Sequence, residues 1–142
     1  LSRLVTGRDA GERERDMTRR PVVLIAEDQA TNRKELKREL AAFDIDVITA
    51  EDGQAALDAW EEGEIDLVMA DIHMPTMNGF DLTRAIRTAE KRSDAYVPII
   101  ALTDGALPGE AERCLATGMD DVAVKPLGTE RLAALVRRWI KN

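Results

Sequence analysis

Cysteine is almost absent from this 142-residue chain, which contains only Cys114. A single thiol cannot form an internal disulfide, so the composition fits a reducing compartment such as the cytoplasm. No apolar run approaches the ~18 residues of a transmembrane helix, and no signal-peptide pattern opens the chain. We therefore expect one domain that folds on its hydrophobic core and makes no membrane contact.

Positive charge is also scarce, with 20 Lys and Arg against 27 Asp and Glu and a net charge of −7. This balance argues against direct binding of nucleic acid. No glycine-rich phosphate loop follows the first apolar segment, which disfavours binding of a nucleotide or flavin. The acidic balance agrees with a divalent-cation site, although it agrees equally with simple solubility.

The first twenty residues differ in composition from the rest of the chain. They hold six Arg and four acidic residues, with too few apolar residues for a core-facing helix. We expect residues 1–20 to be a charged linker or tail and residues 21–142 to be the folded domain. Because the chain begins with Leu rather than Met, we expect it to be a fragment of a larger protein.

Polar residues follow four short apolar segments of strand length. The segments and their polar endings are 22–26 with Glu27 and Asp28, 67–70 with Asp71, 98–102 with Thr103, and 122–124 with Lys125. A further strand is predicted at 46–50, and amphipathic helical patterns separate the five segments. Thr31 is a candidate cap for the first helix, and Pro108 fits the first turn of the fourth.

This alternation of strands and helices predicts an α/β fold with a doubly wound, five-stranded parallel sheet and right-handed crossovers. In such a sheet the polar endings meet along one edge. Two carboxylates ~4 Å apart at an effective dielectric of ~20 repel by about 4 kcal/mol. A hard divalent cation such as Mg²⁺ and the ammonium of Lys125 are the two groups able to offset that repulsion.

Each of these residues also has a purely structural alternative. Asp71 at a strand end can cap a helix or form a turn, and Glu27 with Asp28 can cap the first helix. Thr103 can cap the fourth helix, and Lys125 can be an ordinary surface lysine. The joint occurrence of all four endings in one sheet favours the functional interpretation.

The motifs resemble the receiver domain of two-component response regulators, from Pro21 to about Ile140. They are Glu27-Asp28, residues 71–79 (DIHMPTMNG), Ala101-Leu102-Thr103, and residues 118–126 (GMDDVAVKP). The resemblance implies a flavodoxin-like (βα)5 fold with strand order 2-1-3-4-5. It also implies that Asp71 is the phosphoacceptor, a carboxylate nucleophile that forms an aspartyl phosphate.

The same resemblance assigns the remaining site residues. Mg²⁺ would be held by Asp28, Asp71 and the backbone carbonyl of His73, with Glu27 acting through water. Thr103 and Lys125 would contact the phosphoryl group, and the Lys125–Pro126 peptide bond would be cis. His73, the only histidine, is expected to be a loop residue, so the phosphoryl donor must be another protein or domain.

Two positions depart from the family pattern. Val122 stands where the family usually has an aromatic residue, and a valine cannot reorient in the same way. Asp104 follows Thr103 where a small residue is typical, and its carboxylate is expected to weaken retention of the phosphoryl group. Asp71 and its partners remain in place, so phosphorylation is still expected, while Val122 puts the usual coupling to the face of the fourth helix, fifth strand and fifth helix in doubt.

Residues 101–115 resemble receivers at the C-termini of hybrid sensor histidine kinases. The implied partners are a histidine kinase core and a histidine phosphotransfer protein, and a weak homodimer is left open. The alternatives are a free-standing single-domain regulator, a pseudo-receiver that only binds, and a phosphatase with an aspartyl nucleophile. The phosphatase is disfavoured because such enzymes need a second Asp at the position of His73.

Overall fold

The structure is a computed structural model that describes residues 19–105 and 107–140. Five strands alternate with five helices along the chain. The strands are β1 (Val22–Ala26), β2 (Asp46–Ala50), β3 (Leu67–Asp71), β4 (Ile99–Thr103) and β5 (Asp121–Val124). The helices are α1 (Ala30–Ala41), α2 (Gly53–Glu62), α3 (Gly79–Glu90), α4 (Glu110–Thr117) and α5 (Gly128–Trp139).

All four strand pairings are parallel, and the sheet order is β2-β1-β3-β4-β5. The predicted fold class and strand order are confirmed. Every residue of β3 and β4 is buried, as expected for central strands covered on both faces, whereas the edge strand β2 is largely exposed. The hydrophobic core forms two clusters, and alternate residues of the central strands enter one or the other.

Side-chain caps fix the start of two helices. The Asp52 carboxylate accepts from the Ala55 amide at the start of α2. Asn78 and Asp81 form a reciprocal capping box at the start of α3. The prediction that Thr31 caps α1 is wrong, because α1 begins at Ala30, its N-cap is Gln29, and no side-chain hydrogen bond caps it.

The start of α4 also differs from the prediction. Pro108 precedes the helix instead of occupying its first turn, because Gly109 adopts a left-handed conformation at the N-cap, with φ of 80°. Glu110 is therefore the first residue of α4, which places its carboxylate next to the end of β4.

Residues 1–18 of the predicted tail lie outside the described residues, and the division at residue 20 remains a prediction. Arg19 is described, and its guanidinium donates to both carboxylate oxygens of Asp66 at 3.1 Å. None of the helices in the described part of the chain has the length and apolar character of a membrane span.

Arg87 on α3 links the end of that helix to the segments that lead into β4 and β5. Its guanidinium contacts Glu90 at 2.7 Å and Asp120 at 2.8 Å, and all three side chains are largely buried. The two carboxylates in turn accept from the backbone amides of Val97 and Ile99. Loss of the guanidinium would leave both carboxylates without their cation.

We predict that Arg87→Met lowers the free energy of unfolding by about 2–4 kcal/mol, because removal of the guanidinium leaves the buried carboxylates of Glu90 and Asp120 without their ion pair. Arg84→Met is the matched control, since Arg84 lies on the same helix, is exposed and pairs with the exposed Asp81. Its loss is expected to cost less than about 1 kcal/mol. Urea unfolding of both variants measures the difference, and equal midpoints would contradict the assignment.

Candidate functional site

Three carboxylates meet where β1 and β3 end. Asp71 is the last residue of β3 and is 5% exposed. Glu27 directly follows β1 and is fully buried, and Asp28 beside it is exposed. One oxygen from each of the three lies within 4.8 Å of the others. The parallel pairing of β1 with β3 brings these residues together from separate parts of the sequence.

Lys125 lies between two of these carboxylates. Its ammonium donates to Asp71 Oδ2 at 3.0 Å and to Glu27 Oε1 at 3.1 Å. It directly follows β5, and its peptide bond to Pro126 is cis. The ammonium therefore joins three strand ends through two charge-assisted contacts.

Backbone amides satisfy the other oxygen of each buried carboxylate. The His73 amide donates to Asp71 Oδ1 at 2.9 Å, and the Gln29 amide donates to Glu27 Oε2 at 3.1 Å. The loop after β3 is also tightly packed, because a Cβ on Gly79 would lie 2.6 Å from the backbone oxygen of Asp71. The acceptor loop and the start of α3 are thus held in one arrangement.

The charged groups perturb one another. Burial raises the pKa of Glu27, and the Asp71 charge adds to this, while the Gln29 amide and Lys125 oppose it. Burial alone would lower the pKa of Lys125, but its hydrogen bonds and ion pairs with Asp71 and Glu27 raise it overall. The ammonium is therefore kept charged by the carboxylates that it contacts.

Thr103 ends β4, but its hydroxyl is engaged outside the carboxylate cluster. It donates to the Glu110 carboxylate and accepts from the Gly105 amide at 3.0 Å. The other Glu110 oxygen lies 3.2 Å from Nε2 of His73. Sequence reasoning did not select Glu110, and its only signal was an acidic residue in the first turn of a helix.

The two departures from the family pattern lie near this edge. Val122 is partly buried and pairs with Ala101 across the sheet. Its side chain packs against the core cluster to which Ala101 belongs. Asp104 directly follows Thr103 and is exposed. Their effect on switching remains a prediction.

The response regulator receiver domain model matches residues 23–137. Sensor histidine kinase GacS of Pseudomonas protegens is 39% identical over 98% of this chain, which spans 16% of that relative. Hybrid signal transduction histidine kinase I of Dictyostelium discoideum is 36% identical over 83% of the chain and is covered over 7% of its own length. The chain thus spans a small fraction of these curated relatives.

Solved receiver structures share the fold. The receiver domain of sensor histidine kinase PA1611 from Pseudomonas aeruginosa, with magnesium in its active-site cleft, has a TM-score of 0.76 and 33% identity. The match covers 85% of this chain and 98% of that one. The Saccharomyces cerevisiae Ssk1 receiver, solved with the phosphotransfer protein Ypd1, has a TM-score of 0.77 and 29% identity over 84% of this chain and 88% of the other. The present chain belongs to the response regulator receiver domain family.

Proposed function

We propose that this receiver domain takes a phosphoryl group from a phosphohistidine onto Asp71. The observation that supports this most directly is the convergence of Asp71, Asp28 and Glu27 with the Lys125 ammonium at one sheet edge. Helix caps and turn residues do not require such a cluster. The clustering therefore favours a shared functional role for these residues over separate roles as helix caps or turn residues.

The proposed transfer is a displacement at phosphorus. The phosphorus–nitrogen bond of the donor phosphohistidine breaks as a bond forms between phosphorus and an Asp71 carboxylate oxygen. The leaving imidazole keeps the bonding electron pair and takes up a proton. Lys125 already contacts Asp71 Oδ2, so its ammonium is placed to pair with the phosphoryl oxygens that arrive there.

The donor set fits Mg²⁺. All three carboxylates offer hard oxygen ligands within 4.8 Å of one another, which is the chemistry that Mg²⁺ prefers. Asp28, Asp71 and the backbone carbonyl of His73 would hold the ion, with Glu27 acting through water. Bound Mg²⁺ supplies positive charge against the phosphoryl oxygens.

The relatives also support a proposal about partners and location. We propose that this domain comes from a cytoplasmic part of a hybrid histidine kinase and exchanges its phosphoryl group with a kinase core and a phosphotransfer protein. Support comes from the sensor kinases that it matches and from the Ssk1 receiver solved with Ypd1. Val122 lacks a ring that could reorient, which suits a domain that passes the group on. A weak homodimer stays a prediction.

We predict that acetyl phosphate with Mg²⁺ adds one phosphoryl group to the chain, and that Asp71→Asn abolishes the addition because the amide is a poor nucleophile. Intact mass spectrometry is the measurement. Asp104→Asn is the control, since it makes the same change at an exposed carboxylate near the site and is expected to be modified. Equal modification of Asp71→Asn, or none of the parent chain, would reject the proposal.

We also predict that Mg²⁺ at about ten times its dissociation constant raises the thermal unfolding midpoint by about 3 °C or more. Asp28→Asn removes one ligand and should eliminate most of this shift. Asp58→Asn, the same change on α2, should keep it. Thermal scans with and without Mg²⁺ provide the comparison, and a full shift in Asp28→Asn would contradict the ligand assignment.

A further inference from the structure

Glu110 places a carboxylate between the loops that follow β3 and β4. It is the first residue of α4 and is only 9% exposed. One oxygen accepts from the Thr103 hydroxyl, and the other contacts Nε2 of His73, two residues after Asp71. A buried carboxylate needs such partners, but these two belong to the segments that surround the proposed phosphoacceptor.

The contact commits the only proton of the Thr103 hydroxyl. A hydroxyl has one proton to donate, so donation to Glu110 excludes donation to another acceptor at the same time. The Gly105 amide occupies a lone pair of the same oxygen. Hydrogen bonds that a carboxylate accepts are stronger than those between neutral groups. A phosphoryl group on Asp71 would have to compete with Glu110 for this hydroxyl.

We propose that Glu110 is a positioning residue that retains the Thr103 hydroxyl in the unphosphorylated chain and opposes its transfer to a phosphoryl group on Asp71. The inference rests on the proposed function and deepens it by adding a residue that sets the phosphorylation equilibrium. Loss of the Glu110 carboxylate frees the hydroxyl, so the chain binds a phosphoryl analogue more tightly.

A structural role for Glu110 makes a different prediction. A carboxylate in the first turn of a helix stabilises that helix wherever its side chain points. Glu112 is the matched control, because it lies in the same first turn, carries the same charge and is exposed. Loss of negative charge near an anion site also tightens anion binding in general. That general effect would persist in a Thr103→Val background, whereas an effect that acts through the Thr103 hydroxyl would disappear there.

The experiment measures the affinity of the chain for beryllofluoride with Mg²⁺ by calorimetry. Glu110→Ala should tighten binding about tenfold, and Glu110→Gln, which keeps a neutral acceptor, by about threefold. Glu112→Ala should change affinity less than about twofold, as expected for a surface charge. In the Thr103→Val background, Glu110→Ala should not change the affinity for beryllofluoride. The difference between its effects in the two backgrounds is the coupling energy that a double-mutant cycle measures.

A second measurement needs neither metal nor beryllofluoride. The Gly105 amide donates to Thr103 Oγ1, so its NMR shift reports where the hydroxyl lies. In the metal-free chain Glu110→Gln and Glu110→Ala should move this resonance, whereas Glu112→Ala should not. The Gln variant keeps the test informative if the Ala variant does not fold.

The outcomes separate this inference from the proposed function. A parent chain that binds beryllofluoride as tightly as both Glu110 variants overturns the role of Glu110 and leaves the proposed function standing. An equal gain in the Thr103→Val background also overturns it, because charge alone would then explain the effect. A chain that never binds beryllofluoride counts against the proposed function, and the Gly105 resonance still decides whether Glu110 holds Thr103.

Discussion

The ammonium of Lys125 between the carboxylates of Asp71 and Glu27 is the contact on which the geometry of this domain depends. Two unit charges of like sign ~4 Å apart repel by about 4 kcal/mol at an effective dielectric of ~20. The ammonium offsets that repulsion through contacts with residues 54 and 98 positions away in the sequence. Because β1, β3, β4 and β5 run parallel in one sheet, these strand ends lie at the same edge.

This concentration of charge has a cost that the core must offset. Glu27 is fully buried, and burial raises its pKa. An acid whose pKa is raised by folding adds most stability when protonated and loses that contribution as the pH rises through the folded-state pKa. A buried ionisable residue at the position of Glu27 lowers stability, as is common where a functional site requires the charge. The continuous burial of β3 and β4 supplies the rigid frame that holds it.

Much of the fold was accessible from the sequence because the signals were local. Apolar runs of strand length, each ending in a polar residue, predicted β1, β3, β4 and β5 and placed Asp71 with its neighbours at one edge. The strand order came from the resemblance to a family, since periodicity alone does not order strands. Thr31 failed as a cap because α1 begins at Ala30 without a side-chain cap.

Glu110 was missed for a different physical reason. Its contact with Thr103 depends on the path of the chain after β4, where Gly105 and Gly109 take φ of 76° and 80°. Glycine permits such conformations but does not specify them. Its contact with His73 further requires α4 to pack beside the loop after β3. A sequence pattern specifies neither the path of this loop nor the packing of α4, so the contacts of Glu110 are visible only in the three-dimensional structure.

We propose that this cluster makes Asp71, rather than a neighbouring carboxylate, the acceptor of the phosphoryl group. The most direct test is borohydride reduction of the phosphorylated chain, which converts an aspartyl phosphate to homoserine, followed by peptide mapping. We expect homoserine at position 71 alone. Homoserine at position 28 or 104, or reduction of Glu27, would contradict it.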